Sequence, residues 1–313
     1  MRIIYHPHFS MGFWGLQFLH PFDFRRPRRA FELLQQRFGA DFDALVCQPQ
    51  EPLGDDELEL VHQPDYLASL RRSLDIARVL EIPLFALLPR FIIDRIVVGP
   101  MRIACAGTLL AGREALAHGL AFNLSGGYHH AKPAQGEGFC IYNDIGYCVR
   151  KLRAEGELSG PVLYIDLDAH QGNGVCYVFR DDPEVHIFDV YNGQTYPQGD
   201  EQAIERIDAD FPLEPGTGDQ VYLDTLKEHL GPFLDRVPQA GLVIYNAGTD
   251  IYEHDMLGGL EVTRAAVLER DLFVIRSVRE RDWPLLVLPS GGYSQVSYEM
   301  IADAIYHSRT GTT

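Results

Sequence analysis

Short apolar runs alternate with amphipathic stretches along most of the chain. Brief apolar runs bounded by glycine or polar residues are typical of buried strands, and an apolar residue every three to four positions is typical of a helix. The alternation predicts a parallel sheet covered by helices on both faces. The predicted strands are residues 2–5, 121–124, 161–167, 185–191, 241–245 and 285–288. The predicted helices are residues 27–38, 57–62, 64–72, 101–118, 143–153, 219–237, 264–281 and 295–307.

Residues 76–100 do not fit this alternation, because they carry three prolines among many apolar residues. They are compatible with a packed loop or with helix fragments that flank a binding surface. The aromatic stretch at residues 11–21 is expected to be an ordered loop. No linker or repeat divides the chain, so we expect one domain over residues 1–307 and a frayed tail at residues 308–313.

Composition narrows the class of protein. The chain has 313 residues, of which 46% are hydrophobic, which suffices for a sizeable core. The formal net charge of −17 argues against binding to nucleic acid or to an anionic membrane, and suits either a cationic substrate or simple solubility. The five cysteines form no C-x-x-C pair, which predicts reduced thiols and a cytoplasmic protein. No signal-peptide region, membrane-spanning run or heptad pattern is visible, and the oligomeric state stays open.

Candidate chemistry is concentrated after the apolar run that begins at Pro161. Asp166, Asp168 and His170 lie two positions apart, so along an extended chain their side chains point to one side. Two carboxylates and an imidazole at the end of a buried strand repel and desolvate one another unless a cation compensates them. Ligands bind at the carboxyl ends of open α/β sheets, so the spacing predicts a divalent metal site. An Asp-rich loop that only caps the next helix is the simpler alternative.

Other predicted strands also end in polar, glycine-rich turns, and in a doubly wound sheet these ends are neighbours. Asp168 and His170 together with Asp250 suit one catalytic zinc with an open position for water. Oxygen and nitrogen ligands without a thiolate equally suit ferrous iron or manganese. A second metal of the arginase type would need a carboxylate where Gly172 stands. The turns are residues 125–130, 246–250 and 290–293, and they also contribute His129, His130 and Tyr293.

Several short motifs lie at or near these predicted strand ends. They are His129-His130, Gly138-Phe139-Cys140, the DLDAHQGNG stretch at residues 166–174, NAGTD at residues 246–250 and SGGY at residues 290–293. Together they closely resemble the zinc-dependent histone deacetylase family. The resemblance extends to LHPFD at residues 19–23 and to His62 and Tyr66, so it covers nearly the whole chain. DLDAHQGNG, SGGY and Val190-Tyr191-Asn192 resemble the class IV branch.

The resemblance implies the arginase/deacetylase fold, with a parallel sheet of about eight strands. It also implies an amidohydrolase that removes acyl groups from N-ε-acyl-lysine in peptides or proteins, and the class IV branch suggests a preference for long fatty acyl groups over acetyl. The implied cofactor is Zn2+, with Fe2+ as the alternative, and a monovalent cation such as K+ is expected near Asp166.

Each matching side chain acquires an implied role. The resemblance implies that the metal is held by Asp168, His170 and Asp250, and that Tyr293 donates a hydrogen bond to the substrate carbonyl. It implies that His130 acts as general base and then acid, with His129 as an electrostatic partner oriented by Asp166. The implied substrate tunnel is lined by Gly138, Phe139 and Tyr196 and has Leu257 at its mouth.

One position departs from the family pattern. Many members have an aspartate behind the second histidine, where this chain has Asn173. A neutral amide stabilises an imidazolium less than a carboxylate does, so His130 is expected to be less basic here. The departure fits the class IV branch.

Two other functions stay open. An acetylpolyamine amidohydrolase suits an acidic protein but needs an acidic gate, and the aligned position is Leu257, although Glu253 and Asp255 lie close by. A non-catalytic acyl-lysine binding protein would be favoured by the loss of Tyr293 or of a metal ligand, and all of these residues are present.

Overall fold

The computed structural model describes residues 1–11 and 21–311. Within these ranges eight strands are present, namely β1 (Arg2–Ile4), β2 (Val46–Cys47), β3 (Leu120–Asn123), β4 (Val162–Asp166), β5 (Val185–Asn192), β6 (Ala209–Leu213), β7 (Leu242–Asn246) and β8 (Leu285–Leu288). They form one sheet in the order β2-β1-β3-β8-β7-β4-β5-β6, and every pairing is parallel. This is the single α/β domain predicted from the alternating pattern.

Helices connect and cover these strands. The helix α6 packs against β1, β3 and β8, and α10 packs against β5 and β6. The helices are α1 (Arg26–Phe38), α2 (Asp55–Leu58), α3 (Pro64–Ser69), α4 (Ser73–Val79), α5 (Arg90–Ile93), α6 (Gly99–His118), α7 (Asp144–Ala154), α8 (Asn173–Val178), α9 (Glu201–Ile204), α10 (Asp219–Leu234), α11 (Arg264–Arg279) and α12 (Ser297–Thr310). Within the described residues, no helix combines the length and apolar character needed to cross a membrane.

Polar side chains cap the start of two helices. The side chain of Asn143 accepts a hydrogen bond from Gly146 N at 2.7 Å at the start of α7. Thr263 does the same for Ala266 N at the start of α11. Both side chains satisfy an amide that has no partner within its own helix.

Two strands were absent from the sequence prediction, β2 and β6. The strand β2 has only two residues, and β6 has the sequence ADFPL, which includes an aspartate and a proline. Both lie at the edges of the sheet, where one side of the strand needs no hydrogen-bonded neighbour and proline is tolerated. Neither therefore needs the continuous apolar run by which a buried strand is predicted.

The segment at residues 76–100 consists of helix fragments, as one of its two interpretations proposed. It contains the end of α4, a 3-10 turn at Pro83–Leu87, α5 and a π-helical turn at Asp94–Val98. Part of its apolar content is buried in the core, whereas Leu87 and Phe91 are 79% and 72% exposed.

The ends of the chain differ slightly from expectation. The last helix, α12, continues to Thr310, so residues 308–310 are helical where a frayed tail was predicted. Residues 312–313 lie outside the described residues, as do residues 12–20, which include most of the predicted aromatic loop and the Leu19-His20 part of the LHPFD motif.

The central strand β4 ends at Asp166, earlier than the sequence pattern suggested. In the ladder, Asp166 pairs with Asp189 of β5 on one side and with Asn246 of β7 on the other. The turns that follow β4 and β7 therefore leave the sheet side by side. This register places Asp168 and His170 in the same loop cluster as Asp250.

A buried arginine on α11 supports these two turns from below. Arg270 is fully buried, and its guanidinium donates to Leu167 O at 3.0 Å and to Gly248 O at 2.6 Å. It also donates to the carboxylate of Asp271 at 2.9 Å, which accepts a further hydrogen bond from Tyr245. Leu167 immediately precedes the candidate ligand Asp168, and Gly248 lies two residues before the candidate ligand Asp250. Arg270 therefore fixes the backbone next to both carboxylates.

We expect Arg270→Met to lower the free energy of unfolding by about 3–5 kcal/mol, because it leaves Asp271 buried without its cation. Urea denaturation would measure the change. Arg276→Met on the exposed side of the same helix is the control, and it should stay within about 0.5 kcal/mol of the native protein. Equal effects of the two substitutions would contradict this account.

Candidate functional site

Asp168, His170 and Asp250 converge on one point at the carboxyl ends of β4 and β7. One side-chain ligand atom from each lies within 4.8 Å of the other two. His170 Nδ1 is 3.1 Å from Asp168 Oδ1 and 3.0 Å from Asp250 Oδ2. All three side chains are buried, and no other such group of His, Cys, Asp and Glu occurs among the described residues.

Backbone amides orient both carboxylates of this group. Ala169 N donates to Asp250 Oδ1 at 2.8 Å, and Gly291 N donates to Asp168 Oδ2 at 2.7 Å. A side chain at Gly248 would collide with Asp168, and one at Gly291 would collide with both carboxylates. The glycine-rich turns after β7 and β8 therefore let the backbone approach the carboxylates closely.

The charges of the group are unbalanced when only protein atoms surround them. Burial and the Asp168 charge raise the pKa of Asp250 to about 7. Burial acts in the opposite direction on His170, but hydrogen bonds and charge interactions with the two carboxylates outweigh it and raise its pKa to about 10. A proton on His170 Nδ1 thus occupies the place between the carboxylates that a cation would take. Two carboxylates and one imidazole nitrogen are the donor set of a divalent metal site, so these residues fit such an ion.

Asp166 lies beside the group but does not belong to it. Its Oδ2 accepts hydrogen bonds from His129 Nδ1 at 2.8 Å and from Tyr164 at 2.5 Å, and its Oδ1 accepts one from Asn246 at 3.0 Å. Burial lowers the pKa of His129, but the charges of Asp166 and Asp168 more than offset this and raise it to about 8. Asp166 thus stabilises an imidazolium at His129.

His130 has a neutral partner. Its Nδ1 lies 2.9 Å from Asn173 Oδ1, and the Asn173 amide nitrogen donates to Glu137 Oε1 at 2.6 Å and to Asp200 Oδ2 at 3.3 Å. Because the two carboxylates fix which end of the amide is the donor, the oxygen must face His130, and His130 Nδ1 carries the proton. Burial and the nearby charges of His129 and His170 hold the pKa of His130 well below its usual value.

Lys132 closes this network, which sequence reasoning missed. Its ammonium lies 3.0 Å from Glu137 Oε1 and 2.9 Å from Asp200 Oδ2. Neither Glu137, Asp200 nor Lys132 stood in a recognised motif. The amide at position 173 was the one sequence feature that could have indicated this network. A neutral amide behind His130 can donate hydrogen bonds to carboxylates on its far side, as it does here to Glu137 and Asp200.

The predicted tunnel residues surround the same point. The Tyr196 ring lies 5.0 Å from the His130 ring, and the Phe139 and Tyr293 rings are 6.1 Å apart. Gly138 approaches His130 so closely that a side chain there would collide with its ring. Leu257 and Tyr196 are 36% and 42% exposed, as expected of residues near an opening.

An apolar cavity of about 70 Å³ adjoins the histidine pair. Its lining combines site residues, among them His129, His130, Phe139 and Tyr293, with core residues such as Phe9, Met11, Phe24 and Met101. The backbone of Phe139, a predicted tunnel residue, contacts the segment at residues 76–100, because Phe139 N donates to Val79 O at 3.1 Å.

Two matching residues have structural roles. His62 Nε2 accepts a hydrogen bond from Asn143 N, and its Nδ1 donates to Lys132 O. Tyr66 donates to Ile141 O at 2.7 Å. Both brace the loop that carries the histidine pair and Phe139, which explains their place in the motif pattern without a role in chemistry.

Comparisons with known proteins agree with this geometry. Residues 20–308 match the family model described as histone deacetylase domain. The chain is 39% identical to histone deacetylase 2 of Arabidopsis thaliana over 99% of its own length and 79% of the relative, and 33% identical to an uncharacterized protein of Picosynechococcus over 96% and 94%. The crystal structure of an HDAC homologue complexed with SAHA has a TM-score of 0.77 and 23% identity, covering 100% of this chain and 84% of that one. This chain belongs to the histone deacetylase family.

Proposed function

We propose that this protein is a metal-dependent hydrolase that removes acyl groups from N-ε-acyl-lysine. Family membership indicates a deacetylase. The observation that carries the finer proposal is the convergence of Asp168, His170 and Asp250 beside a histidine pair and Tyr293. These residues supply a metal site, a proton acceptor and a hydrogen-bond donor within one pocket.

The proposed metal is zinc, with ferrous iron as the alternative for the same donor set. A divalent ion held by Asp168, His170 and Asp250 supplies Lewis acidity, which makes a neighbouring water more acidic and polarises an amide carbonyl. Its binding requires His170 Nδ1 to lose its proton, so metal affinity should increase with pH.

His130 is the proposed general base and then acid. Its Nδ1 proton is committed to Asn173, so Nε2 is the free acceptor, and the depressed pKa keeps this atom unprotonated near neutral pH. His129 remains paired with Asp166 and serves as the electrostatic partner. The Tyr293 ring lies 6.1 Å from the His170 ring, and its hydroxyl makes no hydrogen bond to any described residue, so it is available to donate to a substrate carbonyl.

The apolar cavity that adjoins the histidines supports acyl groups longer than acetyl. Its lining includes the site residues His129, His130, Phe139 and Tyr293 and the apolar residues Phe9, Met11, Phe24 and Met101. Such a lining gains free energy from each methylene group that it removes from water. An apolar lining of this kind favours an acyl group longer than acetyl.

A monovalent cation near Asp166 remains part of the proposal. Asp189 is Asp166's neighbour in the ladder and is buried, and its Oδ1 has no hydrogen-bond partner in the described part of the chain. Burial and the Asp166 charge raise the pKa of Asp189. A cation bound there would pair with the Asp189 oxygen and stabilise the ionised form of this carboxylate.

A reducing location such as the cytoplasm is also proposed, and the five free cysteines support it.

The acetylpolyamine alternative finds less support. Asp255, one of the two acidic residues near the mouth, uses both oxygens to accept backbone hydrogen bonds from Leu257, Gly258 and Tyr293. These contacts occupy three of the about four lone-pair sites of the carboxylate, which leaves little of it for an ammonium group. Glu253 is exposed and remains the single acidic candidate of that pair.

Purified protein should hydrolyse lysine peptides that carry acyl groups from acetyl to myristoyl. Chelation should abolish the activity, and zinc should restore it. Tyr293→Phe should lower kcat by about 100- to 1000-fold, the usual cost of losing one donor to the developing oxyanion. Faster turnover of acetylspermidine would favour the polyamine alternative, and an inert protein with full zinc content would favour a non-catalytic binding protein.

Met101→Phe should narrow the apolar cavity and penalise long chains selectively. We expect the ratio of kcat/KM for myristoyl over acetyl peptides to fall on the order of tenfold. The matched control is Met300→Phe, which changes a buried methionine in α12 away from the cavity. A ratio that changes equally in both variants would exclude the cavity as the chain-binding site.

Introducing a carboxylate behind His130 should shift the pH profile. In Asn173→Asp combined with Glu137→Gln, the new carboxylate stabilises the His130 imidazolium and raises its pKa, so the acid limb of kcat/KM should move to higher pH. Glu137→Gln is included because the native carboxylate lies 2.6 Å from the amide nitrogen it would face. Glu137→Gln alone is the control. An acid limb at the same pH in both proteins would refute this role for position 173.

A further inference from the structure

The turn that carries Tyr293 is held in place by other loops. Its first carbonyls, Ser290 O and Gly291 O, accept hydrogen bonds from the buried guanidinium of Arg26 at 2.5 Å and 3.0 Å. Gly291 N is held by Asp168, and Ser290 has φ +44°, a left-handed value that a non-glycine residue adopts only under constraint. These hydrogen bonds hold the backbone of Ser290 and Gly291, at the start of the turn, but none of them reaches the backbone of Tyr293.

Tyr293's own backbone amide is held by Asp255. Tyr293 N donates to Asp255 Oδ2 at 2.6 Å. Asp255 Oδ1 accepts from Leu257 N at 3.0 Å and from Gly258 N at 3.3 Å, so one carboxylate clamps two loops together. These are the loop after β7, which contains Asp250, and the loop after β8, which contains Tyr293.

The side chain of Tyr293 is buried and is held by ring packing. Its ring makes edge contacts with Phe22, Phe139 and His170, all at centroid distances of 6.1 Å. Because these ring contacts are apolar and the hydroxyl has no hydrogen-bond partner among the described residues, the position of the hydroxyl depends on where the backbone is held. A charged acceptor at 2.6 Å is the strongest hydrogen-bond type available for that purpose.

We propose that Asp255 is the positioning residue for Tyr293: its carboxylate sets the distance between the Tyr293 hydroxyl and the Asp168–His170–Asp250 group by fixing the backbone amide of Tyr293. The proposal rests on the proposed deacylase function, in which that hydroxyl contacts the substrate carbonyl. It assigns to Asp255 a role in the reaction that requires no contact with the substrate.

Asp255→Asn is the informative substitution. The amide keeps one acceptor oxygen, which can serve Leu257 and Gly258, but places an NH2 donor against the Tyr293 amide. We expect kcat to fall on the order of 100-fold, the cost of a displacement of about 1 Å, with little change in KM.

The decisive measurement is a double-mutant comparison of Asp255→Asn, Tyr293→Phe and the two combined. If Asp255 acts through the tyrosine hydroxyl, the combined variant should be no slower than Tyr293→Phe alone. A combined variant slower by the product of the two single effects would overturn the proposal.

Asp219→Asn is the matched control. Asp219 is likewise partly buried and accepts from a backbone amide of another element, Thr263 N at 2.7 Å, but it does not touch the Tyr293 turn. Its effect on kcat should be small and should multiply with that of Tyr293→Phe. Zinc content and thermal unfolding confirm that each variant is folded.

Asp255→Glu provides a second variant, which keeps the charge but displaces the carboxylate by one methylene group. It should also lower kcat without a further loss in the Tyr293→Phe background. If neither Asp255 variant folds with zinc bound, Asp255 is a structural residue and the positioning proposal is wrong.

Affinity for SAHA, measured by calorimetry, separates this proposal from the proposed function. The hydroxamate carbonyl can accept the same Tyr293 hydrogen bond, so Asp255→Asn and Tyr293→Phe should weaken binding to a similar, non-additive extent. Non-additive binding by a protein that hydrolyses no acyl-lysine peptide would refute the function and retain the positioning role. Additive losses in binding would overturn the positioning role of Asp255. A zinc-loaded native protein that neither binds SAHA nor hydrolyses the peptides would also overturn it.

Discussion

Burial of like charges at the carboxyl ends of β4 and β7 is the constraint on which the rest of the site depends. Asp168 and Asp250 are completely buried and share His170 between them. Two carboxylates so close together in a medium of low polarity are strongly destabilising unless positive charge lies between them. Backbone amides from the turns after β4 and β8 offset part of the cost, and His170 or a divalent ion must supply the remainder.

That requirement explains the glycines at the strand ends. Gly248 and Gly291 have no side chain because the carboxylates of Asp168 and Asp250 occupy the space where one would be. From the sequence these residues indicated turns, yet neither has a positive φ. Close approach of backbone to carboxylate is the physical reason for glycine at these two positions.

The histidine pair illustrates how neighbours divide two similar side chains into two roles. His129 faces the carboxylate of Asp166 and His130 faces the amide of Asn173, so burial and charge move their pKa values in opposite directions. Position 173 carries no negative charge, but the Asn173 amide donates hydrogen bonds to the carboxylates of Glu137 and Asp200. Lys132 forms ion pairs with both carboxylates. The amide thus transmits orientation to His130 and keeps the carboxylates away from it.

The sequence by itself determined the fold class, the positions of the central strands along the chain and the residues at their ends, because buried parallel strands must be apolar and the polar residues that follow them are conspicuous. Asp168, His170 and Asp250 were predictable for that reason. The order of the strands within the sheet came only from the tertiary structure. The edge strand β6, the clamp formed by Asp255 and the network of Glu137, Asp200 and Lys132 were decided only by the tertiary structure. An edge strand needs no continuous apolar run, so the sequence pattern does not reveal it. The contacts of the clamp and of the network join residues up to 68 positions apart and form only after the sheet has brought its loops together, so no periodic sequence pattern predicts them.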